Sequence, residues 1–221
     1  LRKLVALALP LSLAQLAQSG MSFVDTLFVG RLGPTSLAGL ALGSTVFFTV
    51  YNVLMAMLLA VAPLVAHAIG ARRQQEPGMV AGQALLLAVL LAVPGVAVFL
   101  NAEANLGLLG LPPSSVAPAG AYLRAIAPGL PFALGFVALR GLMEGHGDAR
   151  PILFIALGGV AVNVFLNDTL IFGRYGLPAF GVVGAGFTTA AVYTLMFLAA
   201  SWLVRRRYRH EAVFANMRRL D

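Results

Sequence analysis

The sequence predicts an all-α integral membrane protein, a bundle of six transmembrane helices, and three observations predict it. Hydrophobic residues make up 60% of the 221 positions and charged residues only 10%, where a soluble domain carries about 25% charged. The apolar stretches run for about 20 residues or more, the length that crosses a bilayer. They do not alternate with period two, which removes the β-barrel and leaves helices, because backbone in lipid must satisfy its own hydrogen bonds. With a mean hydropathy of +0.90, the chain would present large apolar patches to water.

Six spans are expected: Leu4 to Gly30, Leu37 to Ile69, Val80 to Leu100, Ala121 to Leu142, Ile152 to Phe172 and Val182 to Val204. The second is long enough to tilt or to project beyond the bilayer. Gly33-Pro34, Glu76-Pro77-Gly78, Pro112-Pro113-Ser114-Ser115 and Leu177-Pro178 read as turns. The longest linker, Asn101 to Gly120, has room for a short interfacial helix. Residues 1–204 form the six-helix unit, and 205–221 form a basic segment.

The net charge is +7, which in a soluble chain would raise nucleic-acid binding. Here the cations sit at the ends of apolar runs, so no nucleic-acid partner is expected. Arg2, Lys3, Arg72, Arg73, Arg140, Arg150, Arg205, Arg206, Arg207, Arg209, Arg218 and Arg219 fall on one side. Arg31, Arg124 and Arg174 fall on the other. This asymmetry places both termini in the cytoplasm, and the expected location is the plasma (inner) membrane. With no cysteine, disulfides and thiolate metal sites are excluded. No cleavable signal peptide is visible. The start at Leu1 and the basic end read as cuts in a larger protein.

Asp25 is the residue of greatest interest, because an acid within a lipid-embedded span costs several kcal/mol unless it faces a cavity or a partner. Gln15, Gln18, Ser22 and Asp25 fall within an arc of about 80° on a helix, so one polar stripe ends at the acid. Asn163 and Asn167 share a face of span five, while Asp168 lies about 100° or slightly more from their midline. Thr45, Thr49 and Asn52 in span two, with Thr189 and Tyr193 in span six, extend the polar set. Together these residues predict a polar pocket in the outer half of the bundle, among spans one, two, five and six. Each hydroxyl alone is more simply read as bonding to its own backbone, and Asp168 as an interfacial acid.

A nine-residue echo links Asp25-Thr26-Leu27-Phe28-Val29-Gly30-Arg31-Leu32-Gly33 to Asp168-Thr169-Leu170-Ile171-Phe172-Gly173-Arg174-Tyr175-Gly176. Six of its positions are identical. Repeats are common in transporters, and shared turn chemistry explains so short an echo equally well. Pro10 and Pro63 are candidate kinks. Gly158-Gly159 and Gly181 to Gly186 allow close helix packing. His67, His146 and His210 are too far apart in sequence to suggest a joint site, and Gly145-His146-Gly147-Asp148 reads as a turn. Neither HExxH nor a Gly-x-Ser-x-Gly elbow occurs, so no enzyme is expected.

Several of these segments resemble the amino-terminal lobe of the multidrug and toxic compound extrusion (MATE) family. They are Gln18-Ser19-Gly20-Met21-Ser22-Phe23-Val24-Asp25-Thr26 with Gly30, and Arg140-Gly141-Leu142-Met143-Glu144-Gly145 with Gly147 and Pro151. Asn163-Val164-Phe165-Leu166-Asn167 follows, then Gly181-Val182-Val183-Gly184-Ala185-Gly186 with Thr189. The resemblance runs in order along nearly the whole chain. It implies one lobe of a twelve-helix, two-lobe antiporter, with 205–221 leading to the second lobe of the same polypeptide. Such a transporter exports cationic amphiphilic compounds, small organic cations, in exchange for H+ or Na+, and needs no other cofactor.

By the same resemblance, Asp25, Asn163, Asn167 and Asp168 are the cation- or proton-coupling candidates. Asp25, Asn163 and Asn167 also make a possible sodium site. Gln15, Gln18, Ser22, Thr45, Thr49, Asn52, Thr189 and Tyr193 are the candidate substrate cavity. Some family members carry an aspartate where Asn167 stands, so the acid here is displaced to Asp168. The rival functions are a lipid-linked oligosaccharide flippase and a non-transporting assembly subunit of a membrane complex, with membrane lipid the remaining partner.

Overall fold

Long apolar runs with polar punctuation fold into ten helical segments in the computed structural model, which describes residues 2–73, 75–211 and 213–216. They are α1 (Arg2–Gly30), α2 (Pro34–Ala56), α3 (Val61–Gly70), α4 (Glu76–Leu100), α5 (Ala102–Gly107), α6 (Pro113–Ile126), α7 (Leu130–Gly145), α8 (Ala149–Phe172), α9 (Val182–Arg207) and α10 (Val213–Asn216). Among the described residues, five stretches are long and apolar enough to cross a membrane: Pro34–Gly70, Glu76–Leu100, Pro113–Gly145, Ala149–Phe172 and Val182–Arg207. At 29 residues α1 also has the length. The fold is thus the expected six-crossing all-α bundle.

Two expected spans are broken rather than continuous. The second splits between Ala56 and Val61, where Leu58, Leu59 and Val61 bond three residues back. Pro63 is the cause, since its ring excludes the carbonyl four residues earlier and it lacks an N–H. By starting α3 at Val61, the chain puts Pro63 in a first turn, where no donor is needed. The fourth span begins at Pro113 rather than Ala121, and a tight 3₁₀ turn at Ala127–Gly129, which contains Pro128 and is followed by Pro131, divides it. The expected linker helix is α5, from Ala102 to Gly107. Pro10, by contrast, is carried inside an unbroken α1.

The core centres on α7, where Leu134, Leu139, Leu142 and Met143 are fully buried. Outward faces keep large apolar residues such as Phe154, Phe165, Leu198 and Trp202, the inverse of a soluble surface. Of the Gly158-Gly159 pair, Gly159 lies against Met21 and Met196, while Gly158 meets nothing.

Beyond α9 the chain folds back on the bundle. Tyr208, Glu211 and Val213 are buried, and the Glu211 backbone lies where Gly78 has no side chain. Arg218 and Arg219, together with the side chains of Arg2 and Lys3, lie outside the described residues. The Tyr208 hydroxyl donates to Asp148 Oδ2 at 3.0 Å, and Arg207 Nε lies 3.1 Å from the same oxygen. His146 packs on the Tyr208 ring at 4.7 Å. Its Nε2 is 2.6 Å from Glu211 Oε1, and its Nδ1 is 2.9 Å from the Leu142 carbonyl.

Both ring nitrogens of His146 therefore face acceptors, an arrangement only the imidazolium satisfies fully. The Glu211 carboxylate, helped by the Leu142 carbonyl and by Asp148, raises the His146 pKa above the ordinary histidine value, against the pull of partial burial. His210 also approaches Glu211, at 3.7 Å. A group whose folded pKa is raised stabilises the docked tail fully below its unfolded pKa, about 6.5. That stabilisation fades as pH rises through the folded value. Trypsin cleavage at exposed Arg209 is expected to accelerate with rising pH relative to His146→Gln at each pH. Parallel pH profiles for the two proteins would remove this role from His146.

Candidate coupling site and cleft

Asp25 lies near the end of α1, where α1 crosses α8, and is 7% exposed. Its Oδ1 accepts from Asn163 Nδ2 at 3.0 Å and from Asn167 Nδ2 at 2.6 Å. Its Oδ2 accepts from Thr189 Oγ1 on α9 at 3.3 Å. The same hydroxyl lies 3.0 Å from the Ala185 carbonyl, so its single proton is shared between two acceptors. Asn167 Nδ2 also reaches Asn163 Oδ1 at 3.2 Å. The two asparagines, one turn apart, are 1% and 0% exposed. A carboxylate is thus held out of water by three polar partners from two helices, and such satisfaction is what makes buried charge tolerable.

Asn167 Oδ1 is buried without a hydrogen-bond partner. An orphaned acceptor beside a carboxylate suits a proton or a small hard cation, which prefers oxygen ligands. An amide turned by 180° exchanges its oxygen and nitrogen with little change in shape. The asparagine pair can therefore offer donors to a bare carboxylate or oxygens to a cation beside it.

Two adjoining cavities border this site. A small one of about 50 Å³ is lined by Asp25, Asn163, Thr189, Ser44 and Tyr122 among others. Gln18, Ser22, Phe48 and Tyr193 line both it and a larger cleft of about 440 Å³. That cleft also takes in Gln15, Ser19, Tyr51, Asn52, Arg140 and Glu144. Most of its space lies between Asp25 and the terminal-side end of the bundle, while the small cavity lies among spans one, two, five and six. The gap opens where α2 breaks before α3, with Leu58, Leu59 and Ala62 on its wall. Aromatic rings form the partition, with Phe47 stacked on Tyr51 at 5.7 Å and Tyr51 6.0 Å from Tyr193.

Of the residues singled out from sequence, Gln15, Gln18, Ser22, Asp25, Asn52, Asn163, Thr189 and Tyr193 line these cavities, and Asn167 closes the hydrogen-bond network. Thr45 and Thr49 do not join them. Their hydroxyls bond to the Ala41 and Thr45 carbonyls at 2.7 and 2.8 Å, the ordinary choice for a hydroxyl without a better acceptor. Asp168 is separate too, since it pairs with Arg174 at 3.1 Å on the far side of α8 from Asn163 and Asn167. The echo thus places its two acids in unlike surroundings. Arg140 and Glu144, read from sequence only as topology and motif residues, form a 2.6 Å ion pair on the cleft wall. Their spacing of four near the end of α7 was the available signal.

Fold and site together define a polytopic helical membrane bundle built round one buried, amide-bound acid. The MatE family model matches residues 10–169, and the chain belongs to that family. It is 35% identical over 219 residues to multidrug resistance protein PmpM of Pseudomonas aeruginosa, covering 98% of this chain and 46% of that one. It is 38% identical over 209 residues to multidrug resistance protein NorM of Burkholderia vietnamiensis, covering 92% and 45%. Among solved structures, a multidrug resistance MATE family transporter of the MOP superfamily, in an outward-facing conformation, superposes with a TM-score of 0.84. It is 26% identical, with 93% of this chain and 45% of that chain covered. The eukaryotic MATE transporter AtDTX14, at 18% identity and a TM-score of 0.85 over 99% and 47%, shares the fold. The chain spans about half the length of the curated relatives it matches, and corresponds to one lobe of these structures.

Proposed function

We propose that this lobe belongs to a cation-coupled antiporter that exports cationic amphiphilic compounds, with Asp25 exchanging a proton or Na+ for the outgoing cation. The observation that carries the reading is the buried Asp25 carboxylate, hydrogen-bonded by Asn163, Asn167 and Thr189 and bordering a polar cleft. Protonation or Na+ binding removes the charge that attracts an organic cation, so both cannot be held at once. The competition links uptake of one to release of the other. Asp168, bound to Arg174, is set aside as a coupling group. Alternating access requires a second lobe of the same polypeptide packed across the cleft. Both termini of this segment lie on the cytoplasmic side of the plasma (inner) membrane, following its arginines. Arg140 in the cleft invites a phosphate-binding, flippase-type reading, but Glu144 already answers its charge.

The test is efflux of a fluorescent cationic dye from cells expressing the full reading frame that contains this lobe, under imposed H+ and Na+ gradients. Extrusion driven by one gradient is expected, and that gradient names the ion. A well-expressed protein that extrudes no dye with either gradient would move the reading to the flippase or the assembly subunit.

A further inference from the structure

A groove of about 970 Å³ runs between the start of α8 and the end of α9, away from the cleft. Phe154, Ile155, Ala199 and Leu203 form its apolar wall. Trp202 stands at its edge, 56% exposed, with the Arg206 guanidinium 4.3 Å over its ring. Arg150 and Arg207 sit at the bundle-end mouth. Among the described residues the one acid there, Asp148, is already occupied by Arg207 and by the Tyr208 hydroxyl. Arg150 is exposed and makes no hydrogen bond or ion pair among the described residues.

The mouth therefore carries Arg150 and Arg207 against one aspartate, above a trough lined by apolar side chains. We propose that this groove binds an anionic phospholipid, with its phosphate against Arg150 and Arg207 and one acyl chain along Phe154 and Leu203. Basic pockets between membrane helices recognise such headgroups, and an indole favours headgroup depth.

A tryptophan and a few arginines at a helix end also serve as plain interfacial anchors. The other side of α9 shows what that looks like. The groove there contains Leu85, Val89, Phe132 and Phe197, and its arginine, Arg205, is spent on the Phe214 ring at 4.6 Å. Among the described residues it has no free cation at its mouth, and it serves as an internal control. The coupling cleft is formed by α1, α2, α3, α7 and α9, so a lobe packed over it need not cover the α8–α9 groove. The inference does not depend on what the lobe transports.

The experiment is native mass spectrometry of the full-length protein in detergent, titrated with phosphatidylglycerol or with phosphatidylcholine of the same acyl chains. Preferential retention of phosphatidylglycerol is expected. Arg150→Gln should weaken it about fivefold, the usual share of one arginine at an anionic surface, without changing phosphatidylcholine retention. Arg205→Gln should leave both unchanged. Ala199→Trp, which keeps every arginine and fills the trough, should also lower phosphatidylglycerol retention, and millimolar inorganic phosphate should not displace the lipid. Melting temperatures of the variants report their folding.

Equal retention of both lipids, or equal losses from Arg150→Gln and Arg205→Gln, would reduce the site to diffuse charge attraction. No retained lipid at all would mean that the second lobe or another segment fills the groove. Unaltered binding in Ala199→Trp would remove the acyl slot. Any of these results overturns the proposal.

Discussion

If the proposed antiport holds, Asp25→Asn in the full-length protein is expected to lower gradient-driven dye efflux by about 10- to 100-fold, with protein level and melting temperature close to native. Asparagine keeps the shape of aspartate but has one acceptor oxygen instead of two and cannot take up a proton. In the native site Oδ1 serves both asparagines and Oδ2 serves Thr189. In the variant, an amide NH2 group faces either the asparagine donors or the threonine hydroxyl. A polar contact to a charged group is worth about 1.5–3 kcal/mol, so an organic cation that loses the carboxylate as its partner loses affinity over that range. The competition between proton or Na+ and organic cation also loses its shared carboxylate. The informative comparison is initial efflux rate under each gradient, beside dye binding to purified protein. Native efflux rates in the variant would place the coupling group elsewhere and turn attention to Glu144 on the cleft wall. Loss of efflux together with loss of melting temperature would instead mark Asp25 as structural.

The second large effect is expected at Gly186. A Cβ there would stand 2.7 Å from both the Ala125 Cβ and the Tyr122 carbonyl, where α9 crosses α6. One turn on, Ala190 lies against Gly129, whose own Cβ would fall 2.6 Å from the Ala190 Cα. The seam is backbone against backbone and has no flexible side chain to give way. Gly186→Val is expected to cost about 1–3 kcal/mol as overpacking, read as a lower melting temperature in detergent, with Gly186→Ala in between. Gly107→Ala, where nothing lies within 4 Å, is the matched substitution expected to melt as native does. Because Thr189 and Tyr193 ride on the same helix, displacement of α9 in Gly186→Val should also impair dye binding. A valine variant that melts with native would show that the two helices stand further apart.

The sequence alone determined that the chain is a six-crossing helical bundle, because lipid imposes length, apolarity and self-satisfied backbone on each crossing. It also picked out Asp25, Asn163, Asn167 and Thr189, because polar groups are costly in a span and helical spacing shows which share a face. What it could not decide were relations between helices. The period of one helix places Thr45 and Thr49 on a polar face, yet their hydroxyls found the nearer carbonyls of their own backbone. Asp25 and Asp168 sit in matching nonapeptides, but only the crossing of α1 and α8 turns one toward the amides and leaves the other to Arg174. Arg140 and Glu144 carried the signature of an ordinary helix-end pair, and Pro63 that of a kink. The cleft arises because the proline parts α2 from α3 opposite that pair. Turn chemistry and periodicity are local properties, whereas a cavity is set by the distance between elements far apart in the chain. That distance is fixed by packing, through contacts such as Gly186 against Tyr122, and the tertiary structure alone decides it.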